Sequence, residues 1–225
     1  MCSSDLNRGE SWSNWYTQPT AAMYHVTADN AFPYRLCGGQ QDSGSACVNS
    51  RGNDGEITFH DWHPVGIEEY GMAAPDPKNP DLVYGGKVTV YNRITGQKAN
   101  ITPGGGRGGR GGAAGATAGR GAAATPSEPP ARTVRTQPII WSAKDPNVLF
   151  YGTSGVWKTI NGGHSWTPIS GDLSRQTWEV PGNAGKYAST VTPAPAGTVT
   201  AIAPSPLDVN VLWAGTGDEI GRAHV

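Results

Sequence analysis

Two groups of carboxylates are the first candidates for chemistry. Asp42 follows a pair of amides, Gln40 and Gln41, and Glu68 stands beside Glu69. Two carboxyl groups roughly 5–9.5 Å apart can cleave a glycosidic bond, one protonating the leaving oxygen and the other acting as nucleophile or base. Asp42, Glu68 and Glu69 are therefore the candidate catalytic residues. Neighbouring side chains on a strand point to opposite sides, so only one of Glu68 and Glu69 would face such a site. Gln40 and Gln41 can bond hydroxyl groups. With Arg135, Trp178 and Asp218 they make the candidate ligand-binding set. The competing reading of each is a solvated or turn-bracing group.

His60-Asp-Trp-His63 invites a metal reading. A spacing of three puts the histidines on opposite faces of a strand, and no third ligand stands nearby, so no metal site is assigned. No cofactor motif is present. Trp62, Trp157 and Trp178 can stack on sugars or pack between sheets. Cys37 and Cys47 flank the loop 38–46, at the end of one strand and the start of the next. Opposed hairpin positions come close enough for a disulfide, which would fit an exported protein; buried free thiols are the alternative.

The elements that position these residues follow from composition and repetition. The 225 residues include 32 Gly and 18 Pro, too many helix breakers for a helical bundle, and no apolar run is long enough to span a membrane. Short runs of Val, Ile, Tyr and Trp bounded by turn residues read as strands. Residues 74–85, 142–152 and 203–215 resemble one another, with a weaker copy at 32–38. Each is a short strand, a Pro/Asp/Asn turn and a second strand closed by Gly38, Gly85, Gly152 or Gly215. A repeat of about 40–50 residues with four strands is the signature of a propeller blade.

In the third copy, 138–142 is the inner strand, 148–152 the second, 156–159 the third and 165–169 the outer one. Asn161-Gly162-Gly163 is a tight hairpin turn between the last two. Asn7-Arg-Gly-Glu-Ser-Trp12 repeats the pattern of Asn161-Gly-Gly-His-Ser-Trp166. The expected fold is all-β, an open arc of a partial β-propeller with about three complete four-stranded blades and two partial ones. In a blade, the turns 1–2 and 3–4 share one face; the 2–3 connection and the link to the next blade share the other. The second face carries residues 40–42, 68–69, 132, 135, 178–179 and 218, and a ligand site belongs there.

Residues 104–131, rich in Gly, Ala, Arg and Pro, are expected to be a disordered insertion. They carry three arginines but no aromatic stacking platform, which argues against RNA binding. The two ends can be encoded by reverse complements: ATC GGA AGA GCA CAC GTC for 220–225 reads backwards, from a GTG start, as Met-Cys-Ser-Ser-Asp. The string resembles a short-read sequencing adapter. Residues 1–6 and 219–225 are read as scars, and 7–218 as an internal fragment of a longer propeller. Leaving out Asp5, Glu219 and Arg222 gives 16 acidic and 16 basic residues, which argues against a nucleic-acid partner.

Thr159-Ile-Asn-Gly-Gly-His-Ser-Trp166 resembles an Asp-box, the bacterial neuraminidase repeat, with Asn161 at the usual Asp position. Gly163, Ser165 and Trp166 complete it, and Asn7, Gly9, Ser11 and Trp12 form a second box. The span 7–218 is similar to large bacterial Asp-box propellers. The motifs that carry the resemblance are Gln18-Pro-Thr-Ala, Phe32-Pro-Tyr-Arg, Gln40-Gln-Asp, Glu68-Glu-Tyr-Gly, Arg93-x-Thr-Gly-Gln97 and Trp178-Glu-Val-Pro181. The box at 92–97 departs from the pattern, and no sialidase nucleophile is evident. These proteins are related to the lumenal propeller of sortilin, and are commonly labelled glycosyl hydrolases by likeness to xyloglucanases and sialidases. The resemblance implies a secreted or periplasmic glycosyl hydrolase or glycan-binding protein; a sortilin-like scaffold binding protein or peptide in its channel is the alternative, and an assembly factor a third. The remaining blades of the full-length chain would complete the ring.

Overall fold

The computed structural model describes Glu10 and residues 20–53, 55–103, 132–175, 197–218 and 222–224. Asn7, Gly9, Ser11, Trp12 and Trp178, the insertion 104–131 and the end segments 1–6, 219–221 and 225 lie outside the described residues.

One local device recurs and sets the strand pattern. The Ser142 amide donates to the Val148 carbonyl at 2.8 Å, and the Val148 amide donates to Asp145 at 3.0 Å. Inside that loop the Ser142 hydroxyl accepts from the amides of Lys144 and Asp145, and the Asp145 carboxylate accepts from the Asn147 amide. Asp76 with Asn79, and Ser205 with Asp208, repeat the arrangement around Leu82 and Val211. Asp29 opens the first copy, its amide donating to the Arg35 carbonyl and its carboxylate accepting from Ala31. Short polar side chains that bond the backbone two or three residues ahead favour turns over continued strands.

The strands fall into two units, residues 1–100 and 101–225. In the first, β1 (Thr27–Ala28), β2 (Arg35–Gly39), β3 (Ser45–Asn49) and β4 (Trp62–Pro64) form one antiparallel meander. A second consists of β5 (Ala73–Pro75), β6 (Leu82–Gly85), β7 (Thr89–Asn92) and β8 (Gln97–Asn100). Cys37, Cys47, Val65, Ile67, Ala73 and Val83 form the core of this unit. At the strand-joining turns lies an ion network anchored on buried Asp29 and Arg35. Asp29 bonds the Arg35 guanidinium, which also donates to the Pro80 carbonyl at 2.7 Å and approaches Asp81 at 3.4 Å; Asp81 in turn pairs with Arg93 at 2.9 Å.

In the second unit β9 (Ile139–Trp141), β10 (Leu149–Gly152), β11 (Val156–Thr159) and β12 (Thr167–Pro168) form the third meander. The fourth sheet has β13 (Val199–Pro204), β14 (Leu212–Thr216) and β15 (Arg222–His224). Val148, Phe150 and Val156 of the third sheet pack with Val199, Ile202, Leu212 and Ala214 of the fourth. A Cβ on Gly152 would lie 3.0 Å from the Val199 side chain, so glycine there lets the two sheets close. The fold is all-β, with no α-helix among the described residues: three four-stranded blades of a partial β-propeller and a fourth of which three strands are described.

Four sequence expectations are corrected. The outer strand of the third blade begins at Thr167 rather than Ser165, so the Asn-Gly-Gly segment is part of a longer loop, not a tight hairpin. Glu68 and Glu69 sit in a turn, closed by the Gly71 amide donating to the Glu68 carbonyl, not on a strand. His60 belongs to a short 3-10 turn, Phe59–Asp61, while His63 lies in β4, so the two histidines do not share a strand. Aligned by their turns, the blades put Gly39 and Gly86 at the positions equivalent to Gly152 and Gly215, one residue beyond Gly38 and Gly85. The constant length of the side-chain-braced turn fixes that register.

Candidate functional site

On the loop face of the first unit three connections converge. The β2–β3 loop, residues 40–44, closes when the Gln40 amide donates to the Gly44 carbonyl at 2.7 Å. Beside it runs residues 22–24, where the Gln41 amide donates to Ala22 and the Tyr24 amide to Gly39. Above both lies the turn 68–71. The Asp42 amide donates to Glu69 Oε1 at 2.8 Å, and the Gly39 amide donates to the Gly71 carbonyl at 3.2 Å. The third connection, residues 86–88, brings Lys87 within 3.9 Å of the Glu68 carboxylate.

This face holds Asp42, Tyr70 and Val88 at φ of 59°, 62° and 58°. Side chains other than glycine avoid that region, and a β-branched residue most of all. Such conformations persist where surrounding structure over-determines them, and they cluster at binding and catalytic sites. Tyr70 meets Tyr24 edge to face, with ring centroids 4.5 Å apart. Sequence reasoning missed this pair, because 46 positions separate the rings and no pattern links Tyr24 to the Glu68-Glu-Tyr-Gly motif. The only usable signal was Tyr70 following the two glutamates.

Gln40, Gln41, Asp42, Glu68 and Glu69 thus gather on one loop face. Glu69 receives the Asp42 backbone amide, Glu68 lies against Lys87, and the Asp42 side chain stands exposed. Trp157 is buried, its indole N–H donating to the Thr153 hydroxyl at 3.1 Å, so it is a core residue rather than a sugar platform.

In the second unit, Arg132 donates to both Asp172 oxygens at 2.8 and 2.7 Å, to the Ser174 hydroxyl at 2.7 Å and to the Gly197 carbonyl at 3.3 Å. Burial acts to raise the Asp172 pKa; the hydrogen bonds from Ser174 and Arg132, and the Arg132 charge, outweigh it and hold the carboxyl below its ordinary value. Asp218 accepts from the Arg175 amide at 2.9 Å and fills the space a Cβ on Gly197 would need. Arg135 lies exposed in a turn of the same unit. The described residues contain no group of three or more His, Cys, Asp or Glu able to hold a metal ion, and no helix long and apolar enough to cross a membrane.

Residues 159–166 of the third blade form a hydrogen-bonded knot. Asn161 Oδ1 accepts from the Ser165 amide at 3.0 Å and the Thr159 hydroxyl at 2.9 Å, while its Nδ2 donates to the Ser165 hydroxyl at 2.8 Å. Gly163 holds φ at 85°, and a Cβ there would lie 2.5 Å from the Ile101 side chain. The Trp166 indole donates to the Ile101 carbonyl at 2.6 Å and its ring centroid lies 6.0 Å from that of Tyr151. Cys37 and Cys47, paired in register across β2 and β3, are joined as a disulfide with a Cα–Cα distance of 4.0 Å.

The fold and its loop face define a propeller-blade protein. No protein-family profile and no curated protein sequence matches the chain. Among solved structures it is similar to a GH74 xyloglucanase from Xanthomonas campestris, at 14% identity and a TM-score of 0.43, over 83% of this chain. The chain spans 24% of that enzyme. A likeness at that level carries no activity from one protein to the other.

Proposed function

We propose that this chain is part of an exported propeller of the glycosyl-hydrolase-like Asp-box group, and that the loop face of its first unit binds a glycan. The observation that carries this reading is the union of Asp42 and Tyr70, both in left-handed backbone conformations, through the Asp42–Glu69 bond. That union presents a carboxylate, two amides and an aromatic pair together, which suits a ligand with many hydroxyls and apolar C–H faces. The Cys37–Cys47 disulfide favours an oxidising, extracytoplasmic location.

Asp42 and Glu68 are the pair proposed for cleavage, with Glu69 as a loop brace. A second, non-catalytic reading, with a peptide or glycan held in the channel, is favoured by the exposure of Asp42 and the openness of Glu68: a general acid needs a carboxyl sheltered from water. Screening oligosaccharides for binding and cleavage with wild type, Asp42→Asn and Glu68→Gln separates the two. Cleavage lost in both variants supports the enzyme; binding without cleavage, weakened by Tyr70→Ala, supports the binder. Neither binding nor cleavage of any glycan overturns the glycan reading.

A further inference from the structure

The three carboxylates on the loop face of the first unit differ in what they already hold. Glu69 accepts the Asp42 amide through Oε1 at 2.8 Å, and the Lys87 ammonium stands 3.9 Å from Glu68. The Asp42 side chain is exposed and makes no hydrogen bond or ion pair among the described residues. The fold does not call for its charge. The loop uses the Asp42 amide rather than the carboxylate, and asparagine takes the left-handed conformation at φ 59° as readily as aspartate. The β2–β3 loop thus presents a negative charge that nothing around it uses.

An aromatic pair is tied to the same loop. The Gln41 amide donates to Ala22 at 2.9 Å and the Tyr24 amide to Gly39 at 3.1 Å, so Tyr24 runs alongside residues 39–41. Tyr70 directly follows Glu69, and its ring meets that of Tyr24 edge to face with centroids 4.5 Å apart. Tyr24 is 46% exposed. A tyrosine face attracts a cation within about 6 Å of its centroid. A carboxylate alone attracts any cation; joined to an aromatic pair, it favours a cation carried on an apolar ring. Given the glycan reading of this face, on which this rests, we infer that the bound glycan is built of unacetylated amino sugars, with a protonated amine at Asp42 and a sugar ring on Tyr24. Gln40 and Gln41 then serve the hydroxyls of the same chain. A uronic acid would meet Asp42 and Glu69 with like charge and is disfavoured.

Titration calorimetry on the intact chain at low salt tests this with tetramers of glucosamine, N-acetylglucosamine and galacturonic acid. Glucosamine should bind about fivefold more tightly than its acetylated counterpart, as one exposed ion pair and one cation–π contact would give, and the uronate should bind most weakly. Asp42→Asn should bring the amine-to-acetyl ratio close to one. Lys87→Met, which leaves Glu68 without its nearby ammonium, should widen it. Salt at about 1 M should shrink the wild-type ratio, because exposed charges are then screened. Circular dichroism checks that both variants fold. An acetylated or uronate tetramer that binds as tightly as the amine overturns the inference and leaves the glycan reading standing, as does a ratio that survives Asp42→Asn. Tetralysine that binds as tightly as the glucosamine tetramer overturns it in favour of a basic peptide. Binding of no sugar at all removes the glycan reading and the inference together.

Discussion

The backbone amide of Asp42 donates to the side-chain carboxylate of Glu69 at 2.8 Å. Two candidate catalytic residues are thereby joined through a main-chain group, and the bond aligns the β2–β3 loop with the turn 68–71. Glu69→Ala should weaken glycan binding about fivefold, roughly 1 kcal/mol, by releasing the loop. Glu69→Gln, which keeps an acceptor, should stay close to wild type. Titration calorimetry with the best glycan from the screen is the check.

Asn161 ties Thr159 to Ser165 in the third blade. Asn161→Ala removes every one of those bonds and should lower stability by about 1–3 kcal/mol in urea unfolding. Asn161→Asp restores the acceptor for Thr159 and for the Ser165 amide, and the Ser165 hydroxyl can then donate to it. A loss as large as that of the alanine variant would contradict this account of the knot.

The disulfide closes a loop with a sequence separation of 10. Replacing both cysteines by serine should cost about 2–3 kcal/mol, chiefly by enlarging the unfolded ensemble. Denaturation of the wild type with and without reductant should reproduce a difference of that size.

Arg35 is buried among Asp29, Asp81 and the Pro80 carbonyl. Arg35→Met leaves the Asp29 charge buried without its partner and should destabilise the chain by about 3–5 kcal/mol. Arg35→Lys should recover only part, since an ammonium cannot reproduce the planar fork that reaches all three groups. The urea midpoints rank the three proteins.

Asp172 carries the pH dependence. Its folded pKa lies below the ordinary value of 3.8, so its contribution is complete above that value and is lost as pH falls through the lower, folded one. The thermal midpoint of wild type should exceed that of Asp172→Asn at about pH 6, and the two should converge once pH falls below the lowered folded value. A gap that stays constant across the range would show that the Arg132 pair owes nothing to ionisation.

Much of the blade pattern was legible in the sequence because the turn chemistry is local. Ser142, Asp145 and Asn147 brace one another within six residues, and their counterparts at 76–81 and 205–210 are spaced alike. The outer strand starts later than 165 for a related reason: Asn-Gly-Gly signals a tight turn, but the Asn161 side chain reaches Ser165 and lengthens the loop. Placing Gln40, Gln41, Asp42, Glu68 and Glu69 on one face needed only the alternation of connections along a meander.

The amino-acid order by itself determined the all-β class, the side-chain-braced turns between the first two strands of each blade and the facing positions of Cys37 and Cys47, since each depends on neighbours a few residues away. Only the tertiary structure decided that Glu69 braces Asp42, that Tyr24 meets Tyr70, and that Arg35 links Asp29 to Asp81. Most of these contacts join residues from 27 to 46 positions apart, brought together when one blade stacks on the next, and side-chain burial across that joint leaves no periodic mark in either strand alone.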